Sequence, residues 1–148
     1  MLSDGDLLRN LLGHYCDLVD AADWDGVGAL FASGRLATED GTTFASGAQE
    51  VAAFYRGSVQ LHDASPRTKH LVSNVVLALS DDGLTAQARS SYLVLQAVHD
   101  AGRLQPLVTG RYVDRFDRVE VGGDWTWRER RFAIDMAGDL SAHLRITY

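Results

Sequence analysis

The apolar residues of this chain change their spacing at Thr68, and this change constrains the fold more than any other feature of the sequence. Before Thr68 they recur with the period of a helix, and after it they alternate with the two-residue period of a strand. Turn residues divide the alternating part into four strands, at residues 68–80, 84–98, about 104–119 and 125–136. Strands of this length are long, so their sheet must curl strongly, and Gly110 is the expected place for the bend. The sequence therefore predicts an α+β fold in which helices precede a sheet of four long strands.

Three helices are expected before the sheet. The first carries its apolar residues on one arc: Leu7, Leu8, Leu11, Leu12, Tyr15, Cys16, Leu18 and Val19. Asp20 lies at the edge of this arc, so it is the carboxylate of the helix best placed to point inward, where it would need a partner. A capping or surface acid is the alternative interpretation. Asp23 is expected to cap a second short helix, and Ser46 with Gln49 resembles a capping box that begins a third.

Length and charge limit the classes of partner. A chain of 148 residues suits a single domain, 1–148, with one core. The net charge of −6 disfavours nucleic acid and anionic membrane as partners, because phosphate groups attract clustered Lys and Arg. The one basic run, residues 128–131, is interrupted by Glu129 and is interpreted as a solvated strand face.

Cysteine usage and the first residues bear on the compartment. Cys16 is the single cysteine, so no intramolecular disulfide can form, and its place on the apolar arc predicts a small buried side chain. The first residues carry acids where a secretory signal needs basic residues, and no apolar run approaches the ~20 residues of a membrane span. We therefore expect a cytoplasmic protein with no membrane partner.

The hairpin of the first two predicted strands brings polar residues together. A three-residue loop sets Tyr92 opposite Val72. The same count sets Ser90 opposite Asn74. With this register, His70, Asn74 and Tyr92 lie on one face of the sheet, whereas a two-residue loop would place Tyr92 on the other face. A histidine that is hydrogen-bonded within the core is the alternative interpretation of His70.

The other histidines show no spacing that is typical of a metal site. Each is interpreted as a surface or loop residue: His14, His62, His99 and His143. The glycine pattern of residues 26–31 lacks the third glycine of a phosphate-binding loop and falls within a helix. We therefore expect no cofactor, neither a metal nor a nucleotide.

A set of residues spread over nearly the whole chain has an order and spacing shared with a known family: Tyr15, Asp20, Asp23, Trp24, Phe31, Thr68, Lys69, His70, Gly110, Tyr112, Phe116, Trp127 and Arg128. This pattern resembles the SnoaL-like branch of the nuclear transport factor 2-like superfamily. The resemblance implies a cone, in which a curved, mostly antiparallel sheet is wrapped by three helices around an apolar pocket. It also implies that a small apolar molecule occupies the pocket.

In its site region the chain is similar to scytalone dehydratase and the bile-acid dehydratases of this family. The resemblance implies that Tyr15, Asp20 and His70 serve catalysis. His70 would remove and return a proton, Asp20 would orient its ring and stabilise its cation, and Tyr15 would donate a hydrogen bond to the substrate oxygen. The residues expected to contact the substrate are Asn74, Tyr92, Trp24, Tyr55, Phe54 and Phe132.

The chain departs from these dehydratases on its second strand. They carry a second His or Asp there, whereas this chain has Leu93, Val94 and Leu95, and polyketide cyclases of the family do not require that residue in the same form. We expect a cofactor-independent lyase, isomerase or cyclase acting on a small apolar, carbonyl-bearing cyclic metabolite such as a polyketide or steroid. The alternative is a non-catalytic ligand-binding or assembly module that resembles the small subunit of ring-hydroxylating dioxygenases. Epoxide hydrolysis is disfavoured, because Asp114 and Arg111 fall on opposite faces of a strand.

The outer face of the sheet is expected to form a homo-oligomer, a dimer or a trimer, as is common in this superfamily. The residues expected on that face are Arg111, Arg115, Trp125 and Trp127. A second copy of the chain is thus the expected protein partner.

Overall fold

Helices and strands follow one another in the predicted order, in a computed structural model that describes residues 1–98 and 102–145. The helices are α1 (Asp4–Asp20), α2 (Trp24–Leu30) and α3 (Gly47–Ser58). The strands are β1 (Arg35–Thr38), β2 (Thr43–Ser46), β3 (Thr68–Leu79), β4 (Thr85–Gln96), β5 (Gln105–Asp117) and β6 (Thr126–Ala137). The three helices and four long strands confirm the predicted α+β fold, to which β1 and β2 add two short strands. Among the described residues, no helix is long and apolar enough to cross a membrane.

The six strands form one curved, open sheet in the order β2-β1-β6-β5-β4-β3. Neighbouring strands are antiparallel except for β1 and β6, which run parallel. Helix α1 packs against β3 and α2, and α2 packs against α3. Apolar side chains from both layers meet in one core, which includes Leu8, Leu12, Val27, Phe31, Phe116 and Trp127.

The predicted cap is present at α2, and the one predicted for α3 is wrong. Asp23 Oδ1 accepts a hydrogen bond from the amide of Gly26 at 2.9 Å, as expected for the cap of α2. Ser46 precedes α3, but its side chain makes no capping hydrogen bond, so there is no capping box with Gln49. Glu50 takes the part expected of Gln49, because its carboxylate accepts from the Ser46 amide at 2.8 Å.

At the open end of the β3–β4 hairpin the strands pair as predicted, because a longer loop and a bulge shift the register by one residue in opposite directions. At the tip, the Ser80 amide donates to the Thr85 carbonyl at 3.0 Å, so the loop has four residues, 81–84, and not the three predicted. A bulge in the middle of β3 adds one residue to that strand and shifts the register back. Beyond the bulge, Val72 pairs with Tyr92 as predicted.

Asn74 lies in this bulge. The register leaves two residues, Asn74 and Val75, opposite Ser90. The backbone φ of Asn74 is +53°, in the left-handed region that asparagine adopts more readily than most residues, and its side chain is exposed. The predicted clustering of Asn74 with His70 and Tyr92 is therefore wrong, because the bulge turns Asn74 away from the inner face.

Gly110 allows the Tyr92 side chain to lie close across β5. The pairing of β5 with β6 is irregular between Thr109 and Gly110, where the sequence predicts the bend. Tyr92 lies opposite Gly110, and its hydroxyl donates to the Ala133 carbonyl of β6 at 3.2 Å. A Cβ atom at residue 110 would lie 2.1 Å from the carbonyl oxygen of Ala133. A larger residue would therefore force β5 and β6 apart.

An ion pair occupies the centre of the core. Arg130 Nε donates to Asp114 Oδ1 at 2.7 Å and Arg130 Nη2 donates to Oδ2 at 2.9 Å, and neither side chain is exposed. Trp127 Nε1 also donates to Asp114, at 3.1 Å. The guanidinium carbon lies 3.6 Å from the centroid of the Tyr112 ring. Burial by itself would lower the pKa of Arg130, but Asp114 raises it above its ordinary value, so the guanidinium stays charged.

The prediction that residues 128–131 form a solvated strand face is wrong. Arg130 points into the core, and Glu129 is also buried. Arg35 Nε and Arg131 Nε each donate to the Glu129 carboxylate at 2.8 Å and so cover it. Alternation in the sequence does not reveal this arrangement, because an inward guanidinium is stable only with an acid supplied by another strand.

The outer face of the sheet is charged rather than aromatic. Arg111 and Arg115 are exposed there, as predicted, whereas Trp125 and Trp127 are buried in the core. Arg111 Nε donates to Asp135 of β6 at 2.9 Å. Homo-oligomerisation through this face stays a prediction, and it rests on charged side chains rather than on tryptophans.

Candidate active site

The carboxylate of Asp20, the last residue of α1, is hydrogen-bonded to the first residues of β3. Asp20 Oδ1 accepts hydrogen bonds from His70 Nδ1 at 2.6 Å and from Thr68 Oγ1 at 2.8 Å. Its Oδ2 accepts from the backbone amide of His70 at 2.9 Å. The structure therefore brings Asp20 and His70 together. Asp20 is not a surface acid, since only 14% of its side chain is exposed.

The charge of Asp20 fixes the orientation and the tautomer of His70. Burial raises the pKa of Asp20, but the hydrogen bonds and charge of His70 and the bond from Thr68 lower it more, so the pKa lies below the ordinary 3.8. An ionised carboxylate can only accept hydrogen bonds, so His70 Nδ1 must carry the proton that it donates. The neutral ring then keeps its lone pair on Nε2, which is the arrangement that a general base requires.

His70 borders a cavity of about 400 Å³ inside the cone. Most of the cavity wall is apolar. The aliphatic and aromatic side chains that form this part of the wall are Val19, Phe44, Phe54, Val59, Tyr92, Val108, Tyr112, Phe132, Ile134, Leu140 and Leu144. Of the residues expected to contact a substrate, those that line the cavity are Tyr92, Tyr55, Phe54 and Phe132. Such a wall favours a ligand with a large apolar surface and few polar groups. In residues 1–98 and 102–145, no group of three or more His, Cys, Asp or Glu side chains could hold a metal ion.

Trp24 and Asn74, which are predicted to contact the substrate, do not line this cavity. Trp24 begins α2 and is directed towards α3, where it stacks on the Tyr55 ring with the two centroids 5.9 Å apart. It therefore supports a cavity residue without lining the cavity itself. Asn74 is exposed in the bulge of β3.

Two tyrosine hydroxyls of the cavity wall share one hydrogen bond. Tyr15 Oη of α1 and Tyr55 Oη of α3 are bonded to each other. Burial raises the pKa of both groups, although the charge of Arg130 opposes the rise at Tyr15. Both hydroxyls are therefore neutral at neutral pH. One hydroxyl group donates its proton to the other, so the pair keeps one hydroxyl proton that it can donate to a ligand oxygen.

His143 lies in a turn, in agreement with its interpretation as a surface or loop residue, but it is buried and lines the same cavity. It is 6% exposed, and the centroid of its ring lies 6.4 Å from that of His70. Leu140 and Leu144 flank His143 and also line the cavity. Their spacing on a short turn is the signal in the sequence that could have placed this segment against the core.

The other described histidines, His14 and His62, lie outside this cavity. His14 is exposed on α1, as predicted. His62 lies in the turn that follows α3, also as predicted, and its Nε2 lies 2.7 Å from the carbonyl oxygen of Ala142. His99 lies outside the described residues.

We expect the free energy of unfolding to fall as the pH drops from 6.5 towards about 4, because His143 resists protonation in the fold. Burial, and then the neighbouring charge of His70, lower the pKa of His143 from 6.5 to about 4. Between these values the unfolded chain binds a proton at His143 and the folded protein does not, so acid favours unfolding. The difference corresponds to roughly 3 kcal/mol at most. Urea denaturation across this range measures the slope, and an unchanged slope in His143→Phe would contradict the assignment.

Several solved structures share this fold. An NTF2-like protein with a cystatin-like fold from Novosphingobium aromaticivorans is 25% identical, with a TM-score of 0.71 over 88% of this chain and 81% of that chain. A candidate scytalone dehydratase from the same organism is 19% identical, with a TM-score of 0.67 over 90% of this chain and 85% of that chain. A candidate aromatic ring hydroxylase from that organism is 21% identical, with a TM-score of 0.69 over 96% of this chain and 99% of that chain.

The sequence itself matches a family model. No curated protein matches the chain. The model of the SnoaL-like domain, however, matches residues 1–131. The cone of helices and sheet agrees with this match and with the NTF2-like structure above. The chain therefore belongs to the SnoaL-like domain family.

Proposed function

We propose that this protein is a cofactor-independent lyase, isomerase or cyclase of the dehydratase type, acting on a small, mostly apolar cyclic molecule with a carbonyl group, such as a polyketide or steroid. The observation that carries the proposal is the hydrogen bond of 2.6 Å between His70 Nδ1 and Asp20, made where His70 borders an apolar cavity. Membership of the SnoaL-like domain family and a fold shared with a candidate scytalone dehydratase support it.

The proposed reaction begins with the removal of a proton. His70 Nε2 takes a proton from the carbon next to the substrate carbonyl, and the electron pair of that C–H bond moves towards the carbonyl oxygen. In a dehydration, this pair then forms a C=C bond while the C–O bond to a hydroxyl group on the neighbouring carbon breaks. His70 gives its proton to the departing hydroxyl, which leaves as water, so His70 returns to its starting form.

Asp20 and the two tyrosines would stabilise the charges that form. The carboxylate of Asp20 stabilises the His70 ring while it carries the extra proton. The free hydroxyl proton of the Tyr15–Tyr55 pair donates to the carbonyl oxygen as that oxygen gains negative charge. The guanidinium carbon of Arg130 lies 4.3 Å from the Tyr15 ring, and its positive charge makes this tyrosine a better donor.

Proton removal can be tested without the natural substrate, with 2-tetralone as an apolar cyclic ketone. We expect the wild-type protein to accelerate the exchange of its α-hydrogens for deuterium in D₂O, measured by mass spectrometry. His70→Ala is expected to lose about 10²-fold or more of this acceleration, because the group that takes the proton is gone. His14→Ala, at an exposed position of α1, is the matched control and should exchange at the wild-type rate. Full acceleration in His70→Ala would overturn the proposal.

The second candidate function is a non-catalytic ligand-binding or assembly module, like the small subunit of ring-hydroxylating dioxygenases. Two observations favour it: the apolar stretch Leu93, Val94 and Leu95 on β4, and a fold shared with a candidate aromatic ring hydroxylase over nearly the full length of both chains. Wild-type protein that binds 2-tetralone and does not accelerate the exchange would favour this function over the first.

A further inference from the structure

A second imidazole reaches the cavity from the C-terminal segment, residues 139–145. Hydrogen bonds to the end of α3 and the residues after it hold this segment in place. The carbonyl of His143 accepts from the Gln60 amide at 2.8 Å, and the Arg145 amide donates to the Ser58 carbonyl at 2.8 Å. The backbone is therefore held at His143 and two residues beyond it, and the fold places the His143 ring on the cavity wall.

The ring of His143 lacks a hydrogen-bond partner at one buried atom. Among the described residues, nothing pairs with its Nδ1. Buried polar atoms are almost always paired, because an unpaired one loses its hydrogen bonds to water and gains nothing in return. The neighbouring His70 differs in this respect, since Asp20 engages its Nδ1. The cavity therefore contains one imidazole oriented by a carboxylate and one imidazole without such a partner.

The distance between the two rings suits a shared ligand group. Their centroids are 6.4 Å apart and their planes are inclined by 58°. Two hydrogen bonds of ordinary length, about 2.8 to 3.0 Å each, fit within this separation when they meet at one oxygen atom or at two adjacent ones. Apart from this polar pair, most of the cavity wall is apolar. The other polar lining residues are the Tyr15–Tyr55 pair, Ser58 and Arg145, which is exposed. The two imidazoles therefore offer a ligand oxygen a pair of buried nitrogen partners on neighbouring side chains.

We propose that His143 is a second substrate-contacting residue, which hydrogen-bonds the hydroxyl group that the substrate loses while His70 acts on the adjacent carbon. This inference rests on the function proposed above and deepens it. His143 neither gains nor loses a proton in the reaction, because the proton taken by His70 goes to the departing hydroxyl. The C-terminal segment thus supplies an imidazole to the cavity, whereas β4 carries Leu93, Val94 and Leu95 opposite the start of β3.

A pair of probes separates hydrogen bonding from packing: 2-naphthol, which has a hydroxyl group, and 2-methylnaphthalene, which has a methyl group in its place. His143→Phe keeps a ring of similar size and removes both nitrogens. We expect it to weaken the binding of 2-naphthol by about 3- to 10-fold, the effect of one neutral hydrogen bond, and to leave 2-methylnaphthalene unchanged in fluorescence titrations. An equal loss for both probes, or no loss for either, would overturn the proposal. His143→Gln should recover part of the 2-naphthol affinity.

A measurement on the wild-type protein covers the case in which the variants do not fold. The ¹⁵N resonances of the His143 ring are expected to shift on addition of 2-naphthol and to stay unchanged with 2-methylnaphthalene; unchanged resonances with both would overturn the proposal. Failure of the proposed function has a different signature, namely wild-type protein that does not accelerate deuterium exchange of 2-tetralone. If the wild type exchanges 2-tetralone and His143→Phe binds 2-naphthol normally, the role of His143 is rejected and His70 chemistry stands.

Discussion

Replacing Asp114 by alanine is expected to lower the free energy of unfolding by about 3–5 kcal/mol, the usual cost of breaking a buried ion pair from one side. Arg130 would remain in the core with its charge uncompensated, since two of its nitrogens bond to Asp114 and neither side chain is exposed. Trp127 Nε1 would lose its acceptor as well. Urea denaturation followed by tryptophan fluorescence measures the change.

Two controls separate the buried charge from a general effect of altering these strands. Arg111→Ala removes an exposed ion pair with Asp135 between the same two strands, and it should cost no more than about 1 kcal/mol. The double variant Asp114→Leu with Arg130→Met removes both charges, so it should recover most of the stability lost in Asp114→Ala. If Asp114→Ala were as stable as Arg111→Ala, the core ion pair would not have the energetic role assigned to it.

Asp20→Asn is expected to slow the deuterium exchange of 2-tetralone by about 10²- to 10⁴-fold relative to wild type. Asparagine has nearly the same size as aspartate, and its amide oxygen can still accept from the backbone amide of His70, so the fold should persist. The charge that stabilises the protonated His70 ring is lost, however, and an amide group can donate to Nδ1 and so favour the wrong tautomer. The exchange rate and the ¹⁵N spectrum of the His70 ring measure the two effects.

Asp17→Asn provides the matched control for this experiment, because it removes the same charge from an exposed position of the same helix. We expect it to exchange 2-tetralone at the wild-type rate. An Asp20→Asn variant that is folded and exchanges as fast as Asp17→Asn would mean that the carboxylate does not assist His70. The contact between Asp20 and β3 would then serve only to attach α1 to the sheet.

Spacing and turn residues predict the three helices and the four long strands, because burial of one face leaves a period in the sequence. Leu8, Leu12 and Val19 lie on the predicted arc of α1 and are buried in the core. The change of period at Thr68 coincides with the first residue of β3. The bulge at Asn74 could not be predicted in this way, because a bulge balances the length of a distant loop and leaves the period on either side intact.

The candidate site also contains residues that the sequence predicts and residues that it does not. Helix geometry placed Asp20 inward, and family resemblance paired it with His70. Asp114 stands between two inward aromatic residues of β5, so alternation could have marked it as a buried acid, but its partner Arg130 is 16 residues away. Nothing local indicates which arginine of the run turns inward. His143 follows the last long strand, and only the spacing of Leu140 and Leu144 around it indicates that this turn packs against the core.

The bulge in β3 separates the length of the hairpin loop from the register at His70. One added residue at a loop normally turns every following side chain of a strand to the opposite face. Here the longer loop at residues 81–84 and the bulge shift the register in opposite senses, so His70 still faces the cavity. The register at the tip of the hairpin therefore differs by one residue from the register at its open end, where His70 lies. The extra residue at the tip is compensated halfway along β3, so His70 keeps the pairing with Val94 that the shorter loop would give.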